Sequence, residues 1–205
     1  MSASLVGSEM CIRDSFYLLY TAAFLAVALA LYLRFFTNGK SLVWSHDGVP
    51  QHLNSLAYYG RYLRQVLYTL FIEHKLSLPL WDMHIGYGSD ILTTLHYYVI
   101  GDPLTLLAVF VPESKTETLY AFLIFLRIYL AGIAFSRYSF YHKNSKQATF
   151  MGTMIYIFAG WTIYAAMKHP YFSNPMIYLP LILLGIDKIY KKEKPYIFTV
   201  SYTHL

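Results

Sequence analysis

Residues 16–36 read FYLLYTAAFLAVALALYLRFF, an almost unbroken apolar run that decides the fold of this chain. A helix needs about 20 such residues to cross roughly 30 Å of hydrocarbon, and this run has that length. Its one charged residue, Arg34, lies near the end of the run, where a long side chain can reach the membrane interface. The run therefore predicts a membrane-spanning helix.

The composition of the whole chain agrees with a lipid environment. Of its 205 residues, 57% are apolar and only 13% are charged, whereas a soluble domain carries about 25% charged residues. Further apolar stretches of nearly spanning length predict an all-α, polytopic membrane helix bundle of about four spans: residues 119–138, 148–167 and 175–190. This composition excludes a soluble domain.

Two basic connections predict how the spans are oriented. Residues 141–147 and 187–194 are rich in lysine, and such connections stay in the cytoplasm. Residues 37–118 then form a large outer loop. The formal charge of +5 lies in short connections and does not form a face, which favours this orientation over a nucleic-acid-binding surface. We expect a multi-pass protein surrounded by membrane lipid.

The two ends of the chain differ from the rest. Residues 1–15 and 200–205 resemble translated adapter sequence from environmental sequencing reads, and the alternative is a genuine hydrophilic N-terminus and tail. On the first interpretation the native segment is 16–199, the N-terminal part of a longer chain. The single cysteine, Cys11, excludes an internal disulfide framework.

The outer loop has its own helical pattern. From residue 51 to residue 73 the apolar positions recur at helical spacing, which predicts an amphipathic helix. Such a helix lies on the membrane surface or packs against other parts of the loop. Residues 78–103 are rich in glycine, proline and aromatic residues and predict irregular, ligand-lining backbone. Residues 104–111 are too short to span and favour a re-entrant or interfacial segment.

A set of loop residues in a fixed order resembles the bacterial YfhO family of membrane proteins. The set begins after the first span and comprises Asp47, Gln51, Trp81, Gly86, Gly88, Tyr98, Asp102 and Pro103. Residues 169–189 (HPYFSNPMIYLPLILLGIDKI) fit the same family. The resemblance covers residues 16–199, which correspond to the N-terminal part of much longer family members.

The resemblance implies a fold and an activity. It implies a GT-C-type glycosyltransferase that uses a polyprenyl-phosphate sugar as donor and a cell-wall polymer such as lipoteichoic acid as acceptor. The active side then faces outward from the bacterial plasma membrane, with no cofactor besides the lipid-linked donor. The remainder of the full-length chain is an expected partner. A non-enzymatic transporter, flippase or assembly factor for envelope polymers is the alternative.

Such a transfer needs a base for the proton of the acceptor hydroxyl, and Asp47 is the candidate. It follows the first span by about ten residues, and the resemblance also implies a catalytic acid residue in the first outer loop. The alternative is an aspartate that caps a helix or forms an Asx-turn. Asp82, Asp90 and Asp102 compete for the role, and Asp102 is the most structural of them because it precedes a proline.

The donor phosphate needs cations, and the candidates are Arg61, Arg64, Arg127 and His169. Arg61 and Arg64 are three residues apart on the amphipathic helix and can grip a phosphate together, although lipid headgroups and water are alternative partners. Arg127 lies near the middle of the second span, where a charge requires a pairing partner or an anionic ligand; the alternative is a structural pair with an acid in the remainder of the chain. His169 contacts phosphate or acceptor, or is simply a solvated interfacial histidine.

The candidate acceptor-binding and sugar-binding residues are polar or aromatic side chains of the loop: Gln51, Trp81, Asp82, Asp90, Tyr97 and Tyr98. Trp81, Tyr97 and Tyr98 can stack on sugar rings, or pack against lipid as interfacial aromatic residues do. His46, Asp47 and His52 match no strong ligand spacing, so we predict no metal site.

Overall fold

The computed structural model describes residues 3–194 and 196–203. Met1, Ser2, His204 and Leu205 belong to the two predicted adapter-like tails and lie outside the described residues. The helices are α1 (Ala3–Thr37), α2 (Asn54–Phe71), α3 (Ile91–Leu95), α4 (Thr116–Tyr141), α5 (Lys146–Ile157), α6 (Gly160–Lys168), α7 (Asn174–Tyr190) and α8 (Tyr196–Thr203). A π-helix (Gly48–Leu53) and 3-10 helices (Pro103–Phe110, Glu113–Lys115 and Pro170–Ser173) complete the helical elements.

The predicted all-α membrane architecture is confirmed. Within the described part of the chain, strands are limited to the antiparallel two-residue pair β1 (Trp81–Asp82) and β2 (Ser89–Asp90). By length and composition, the segments Ser15–Thr37 and Glu113–Tyr141 can each cross a membrane. Both include the apolar runs from which the first two spans were predicted.

The other two predicted spans are less regular. Helices α5 and α6 are bent by 44° at the break between them and qualify as a third span only when taken together. Helix α7 has 17 residues and contains Pro180. At 1.5 Å per residue it extends roughly 26 Å, which is short of the hydrocarbon thickness. The structure therefore supports two or three spans, and the fourth stays a prediction.

Helix α4 lies at the centre of the bundle. It packs closely against α5 and α7, whereas α1 contacts it through large aromatic side chains. Tyr20 of α1 stacks on Tyr129 of α4 with ring centroids 5.2 Å apart, and its hydroxyl donates to the Tyr129 carbonyl at 2.9 Å. This bond satisfies a polar group that has no water partner in hydrocarbon. Towards the C-terminal end of α1, the two helices border an apolar groove of about 470 Å³.

The loop folds onto α2. The π-helix Gly48–Leu53 runs directly into α2, so the predicted amphipathic helix is present and begins a little earlier than its pattern. The 3-10 helix Pro103–Phe110 lies against it so closely that a Cβ added at Gly60 would be 2.8 Å from the Ala108 carbonyl oxygen. Of the two alternatives for the amphipathic helix, packing on another loop element therefore describes the N-terminal half of α2.

The C-terminal half of α2 leaves apolar side chains exposed, among them Leu67, Leu70 and Phe71. An exposed apolar surface at the end of an amphipathic helix is typical of contact with lipid. The interfacial position of α2 thus stays a prediction, now restricted to this end of the helix.

We expect Gly132→Ala to destabilise the bundle. The added methyl group would overlap the buried Tyr20 ring and displace its hydroxyl from the Tyr129 carbonyl. Overpacking of this kind costs about 1–3 kcal/mol. The thermal midpoint in detergent measures the effect, and Gly160→Ala is the control because its methyl group would meet no atom within 4 Å. Equal midpoints for the two variants would contradict this packing.

Candidate functional site

Asp47 lies just before the π-helix Gly48–Leu53, in the segment that follows α1. The Gln51 amide nitrogen donates to Asp47 Oδ1 at 3.2 Å, and His169 Nε2 lies 3.8 Å from Oδ2. The Asp47 side chain makes no capping hydrogen bond to the helix, so the helix-cap alternative does not describe it. Asp47 is therefore bonded on one side by Gln51, has His169 beside its other oxygen, and remains 38% exposed.

A second histidine lies behind His169. His52 Nε2 and His169 Nδ1 are 3.0 Å apart, although 117 residues separate them in the chain. His52 is almost fully buried, and its ring packs against Tyr98 and Tyr171 at centroid distances of 5.5 and 5.4 Å. The pKa of His52 is lowered to about 4, first by burial and then by His169, while Asp47 opposes the shift. His52 is therefore neutral at pH 7.

Arg127 has a partner within this chain. Its Nη2 donates to Asp102 Oδ2 at 2.6 Å and its Nε donates to the Asn174 side-chain oxygen at 2.9 Å. The Arg127 and Asp102 side chains are 2% and 7% exposed. Asp102 also accepts from the Leu104 backbone N–H at 2.9 Å and so caps the 3-10 helix. The alternative of an acid outside this segment was wrong: the partner is the aspartate judged most structural from the sequence.

Asn174 was missed in the sequence analysis. Its amide nitrogen donates to Asp102 Oδ2 at 3.0 Å, so one side chain bonds both members of the ion pair. An asparagine at the start of α7 has no distinctive sequence signal of such a role, because the position also suits an ordinary helix start. Its proximity in sequence to His169 was the available clue.

Tyr171 connects the histidine pair to the ion pair. Its ring lies 5.4 Å from the His52 ring, and the Arg127 guanidinium carbon lies 5.3 Å from its centroid. Burial raises the pKa of the Tyr171 hydroxyl, with Arg127 acting in the opposite direction. Asp47, the two histidines, Tyr171 and Arg127 therefore form one layer of polar and aromatic side chains.

The predicted arginine pair on α2 is engaged with the loop itself. Arg61 Nη1 forms an exposed ion pair with Glu113 at 2.7 Å, whereas Arg64 Nη1 donates to the Ala108 and Val111 carbonyls at 2.9 and 2.7 Å. Arg64 thus satisfies the last carbonyls of the 3-10 helix. The two groups have separate partners and form no shared phosphate grip. Contact of Arg61 with a phosphate stays a prediction.

Trp81 and Asp82 line a groove of about 550 Å³ beside α2. Asp82 accepts from the Tyr58 hydroxyl at 2.6 Å, and from His84 through both its backbone N–H and Nδ1 at 2.8 Å. These bonds, that of Tyr58 first, lower the pKa of Asp82 to about 2. Trp81 is 60% exposed. The fixed carboxylate can accept hydrogen bonds from hydroxyl groups, and the exposed indole beside it can stack on a sugar ring.

Gly88 permits the tight turn that presents Trp81. Its φ is +104°, and an added Cβ would lie 3.2 Å from the Trp81 indole nitrogen. The glycine-rich pattern that predicted irregular backbone thus corresponds to a short hairpin, which closes between β1 and β2.

The remaining predicted loop residues have different surroundings. Asp90 accepts from the Thr93 backbone N–H at 2.7 Å and so caps α3. The Tyr98 hydroxyl donates to the Gln51 side chain at 3.0 Å and thereby extends the Asp47 cluster. Tyr97 is half-exposed beside it.

His46 does not join Asp47 and His52 around an ion. Its ring stacks on Trp44 with centroids 5.1 Å apart. Throughout the described residues, no three His, Cys, Asp or Glu side chains are arranged to hold a metal ion. The histidines near Asp47 therefore interact through hydrogen bonds and ring contacts.

We expect Arg127→Met to destabilise the fold by about 3–5 kcal/mol, because Asp102 would remain buried without its counter-charge. The double variant Arg127→Met with Asp102→Asn removes both charges and should recover most of the loss. Thermal unfolding in detergent measures both effects. The control is Arg137→Met, at an exposed position on the same helix, and an equal loss in this control would contradict a special role for the buried pair.

The pKa of His52 predicts a pH dependence of stability. The unfolded state binds a proton near the ordinary pKa of 6.5, whereas the folded state does so only near 4. Between these values the unfolded state carries more protons, so stability falls as pH decreases from about 6.5 to 4. Unfolding measured across this window should show a shallower slope in His52→Gln. Identical slopes in wild type and variant would refute the assignment.

Comparison with known proteins agrees with the membrane architecture. The family model described as bacterial membrane protein YfhO matches residues 19–205. No curated protein and no solved structure matches the chain. The match includes Asp47, the histidine pair and the Arg127–Asp102 pair, together with both spans that the structure supports most strongly. This membrane-associated chain belongs to the YfhO family of bacterial membrane proteins.

Proposed function

We propose that this protein is a membrane glycosyltransferase. In this proposal it transfers a sugar from a polyprenyl-phosphate donor to a cell-wall polymer, such as lipoteichoic acid, at the outer face of the bacterial plasma membrane. The family resemblance supports the reaction class. The observation that carries the proposal is the Asp47 carboxylate, which is hydrogen-bonded by Gln51, lies 3.8 Å from His169 and is accessible from outside the fold.

Asp47 is the general base in this reaction. The acceptor hydroxyl oxygen forms a bond to the anomeric carbon while the bond between that carbon and the phosphate oxygen breaks. The departing lipid phosphate takes the bonding electrons, and the hydroxyl proton moves to Asp47. A carboxylate fixed within hydrogen-bonding reach of the acceptor contributes about 10²–10⁴-fold to such a step.

A cation close to the base suits the departing phosphate. The Lys168 ammonium group lies 4.2 Å from the Trp44 ring centroid and 4.5 Å from that of Tyr164, next in the chain to His169. In this role Lys168 adds to the candidate cations Arg61 and Arg64 of α2, each of which has its own partner in the loop. Arg127 holds the layer together through its ion pair with Asp102.

Two grooves suit the two substrates. The groove at Trp81 and Asp82 offers an aromatic platform and a fixed hydrogen-bond acceptor for a sugar or polyol. The apolar groove between α1 and α4 extends to Phe36, near the end of α1, and is lined almost entirely by apolar side chains. A polyprenyl chain in that groove would place its phosphate near the segment that carries Asp47.

The second candidate function is transport or assembly without catalysis. The buried ion pair of Arg127 and Asp102 favours it, because ionisable groups within membrane helices frequently line substrate paths. On this alternative Asp47 contributes to binding and no sugar is transferred. An assay for sugar transfer separates the two classes, since a transporter or assembly factor forms no new glycosidic bond.

We expect Asp47→Asn to lower polymer glycosylation by about 10²–10⁴-fold in the full-length protein, because the amide cannot accept the hydroxyl proton. Incorporation of labelled sugar into the polymer is the measurement. The control is Asp90→Asn, since Asp90 caps α3 and asparagine caps helices equally well. Wild-type rates in Asp47→Asn would remove Asp47 as the base. No transfer by the wild-type protein would favour the second class.

A further inference from the structure

His52 is a buried histidine that the mechanism above does not use. It is 1% exposed, and one of its two ring nitrogens, Nε2, lies 3.0 Å from His169 Nδ1. The other nitrogen, Nδ1, is buried and has no hydrogen-bond partner among the residues that the structure describes. Because only one of the two ring nitrogens is hydrogen-bonded, the two neutral tautomers of His52 differ in free energy, and one of them is favoured.

A neutral His52 carries a single proton. On Nδ1, this proton would form a buried N–H group without an acceptor, which is the rarer and more costly kind of unsatisfied group. On Nε2, it forms a hydrogen bond to His169 and leaves only a lone pair unpaired. The second arrangement is therefore the favoured one, and it makes His52 the donor.

The donor role of His52 fixes the state of its neighbour. If His169 Nδ1 accepts a hydrogen bond, then the proton of a neutral His169 is on Nε2. That nitrogen faces Asp47, with 3.8 Å between it and Oδ2. The Trp44 and Phe172 rings, with centroids 5.9 and 5.0 Å from that of His169, restrict rotation of the imidazole.

We propose that His52 is a positioning residue, which orders His169 so that its Nε2–H faces the Asp47 carboxylate. The inference rests on the proposed function only in taking Asp47 as the base. In this arrangement His52 donates a hydrogen bond to His169, and the Nε2–H of His169 points towards Asp47. Gln51 donates a hydrogen bond to the other carboxylate oxygen, so Asp47 lies between an N–H group of Gln51 and that of His169 when it receives the acceptor proton.

Two substitutions separate positioning from simple packing. His52→Leu fills the buried space and removes the donor. His52→Gln also fills the space and keeps an N–H group close to the position of Nε2. We expect His52→Leu to lower kcat for sugar transfer by about 10–100-fold, as for other partners that orient a functional imidazole. KM should change little, and His52→Gln should restore most of kcat. Thermal midpoints verify that both variants fold.

A second measurement does not depend on activity. With ¹⁵N-labelled histidine rings in the full-length protein, the nitrogen shifts report which atom of His169 carries the proton. The signal is assigned by its loss in His169→Gln. We expect the Nε2–H tautomer in wild type and in His52→Gln. In His52→Leu a change of tautomer or a mixture of both should appear.

The kcat and tautomer measurements distinguish failure of the positioning role from failure of the proposed function. An unchanged His169 tautomer in His52→Leu overturns the positioning role, even if wild type transfers sugar. Equal kcat in wild type and His52→Leu overturns it as well. If wild type transfers no sugar, the proposed function fails, while the tautomer measurement still decides whether His52 orders His169.

Discussion

The buried ion pair between Arg127 and Asp102 is the constraint on which the rest of the structure depends. A guanidinium group in an apolar helix is costly unless an opposite charge and further hydrogen bonds accompany it. Arg127 obtains both, from Asp102 and from Asn174. Because Asp102 also caps the 3-10 helix Pro103–Phe110, this pair fixes the loop over α4. Through Gly60 and Arg64, the 3-10 helix in turn positions α2.

The candidate site follows from that arrangement. Once Asp102 and Asn174 meet at Arg127, the segment between α6 and α7 lies close to the loop, and Tyr171 and His169 reach His52. Asp47 precedes His52 by little more than one helical turn, so the same approach brings it near His169. The site is thus assembled from four distant parts of the chain, and its geometry depends on a charge pair that need not touch substrate.

Local patterns in the sequence predicted the elements of the fold but not their contacts. The hydropathy of residues 16–36 and the spacing in α2 report local periodicity, which is enough to predict helices. The pairing of His52 with His169 spans 117 residues and leaves no periodic trace. Asp102 shows the same limit: its place before a proline indicated a structural role, but nothing nearby in sequence indicated the contact with Arg127. Trp81 and Asp82 were both predicted as binding residues, whereas the short hairpin that contains them was predicted only as irregular backbone.

The buried groups beneath Asp47 contribute to stability, whereas the proposed chemistry takes place at Asp47 itself. Arg127 and Asp102 neutralise each other, and His52 is neutral because burial lowers its pKa. The buried part of the site therefore contributes oriented dipoles and almost no net charge. The partly exposed Asp47 carboxylate and the Lys168 ammonium, which lies over the Trp44 ring, carry opposite charges, and both residues adjoin His169, the first in space and the second in sequence. A transfer that takes up a proton at one point and releases a phosphate at another needs such opposite charges, held apart by a support that does not itself change charge.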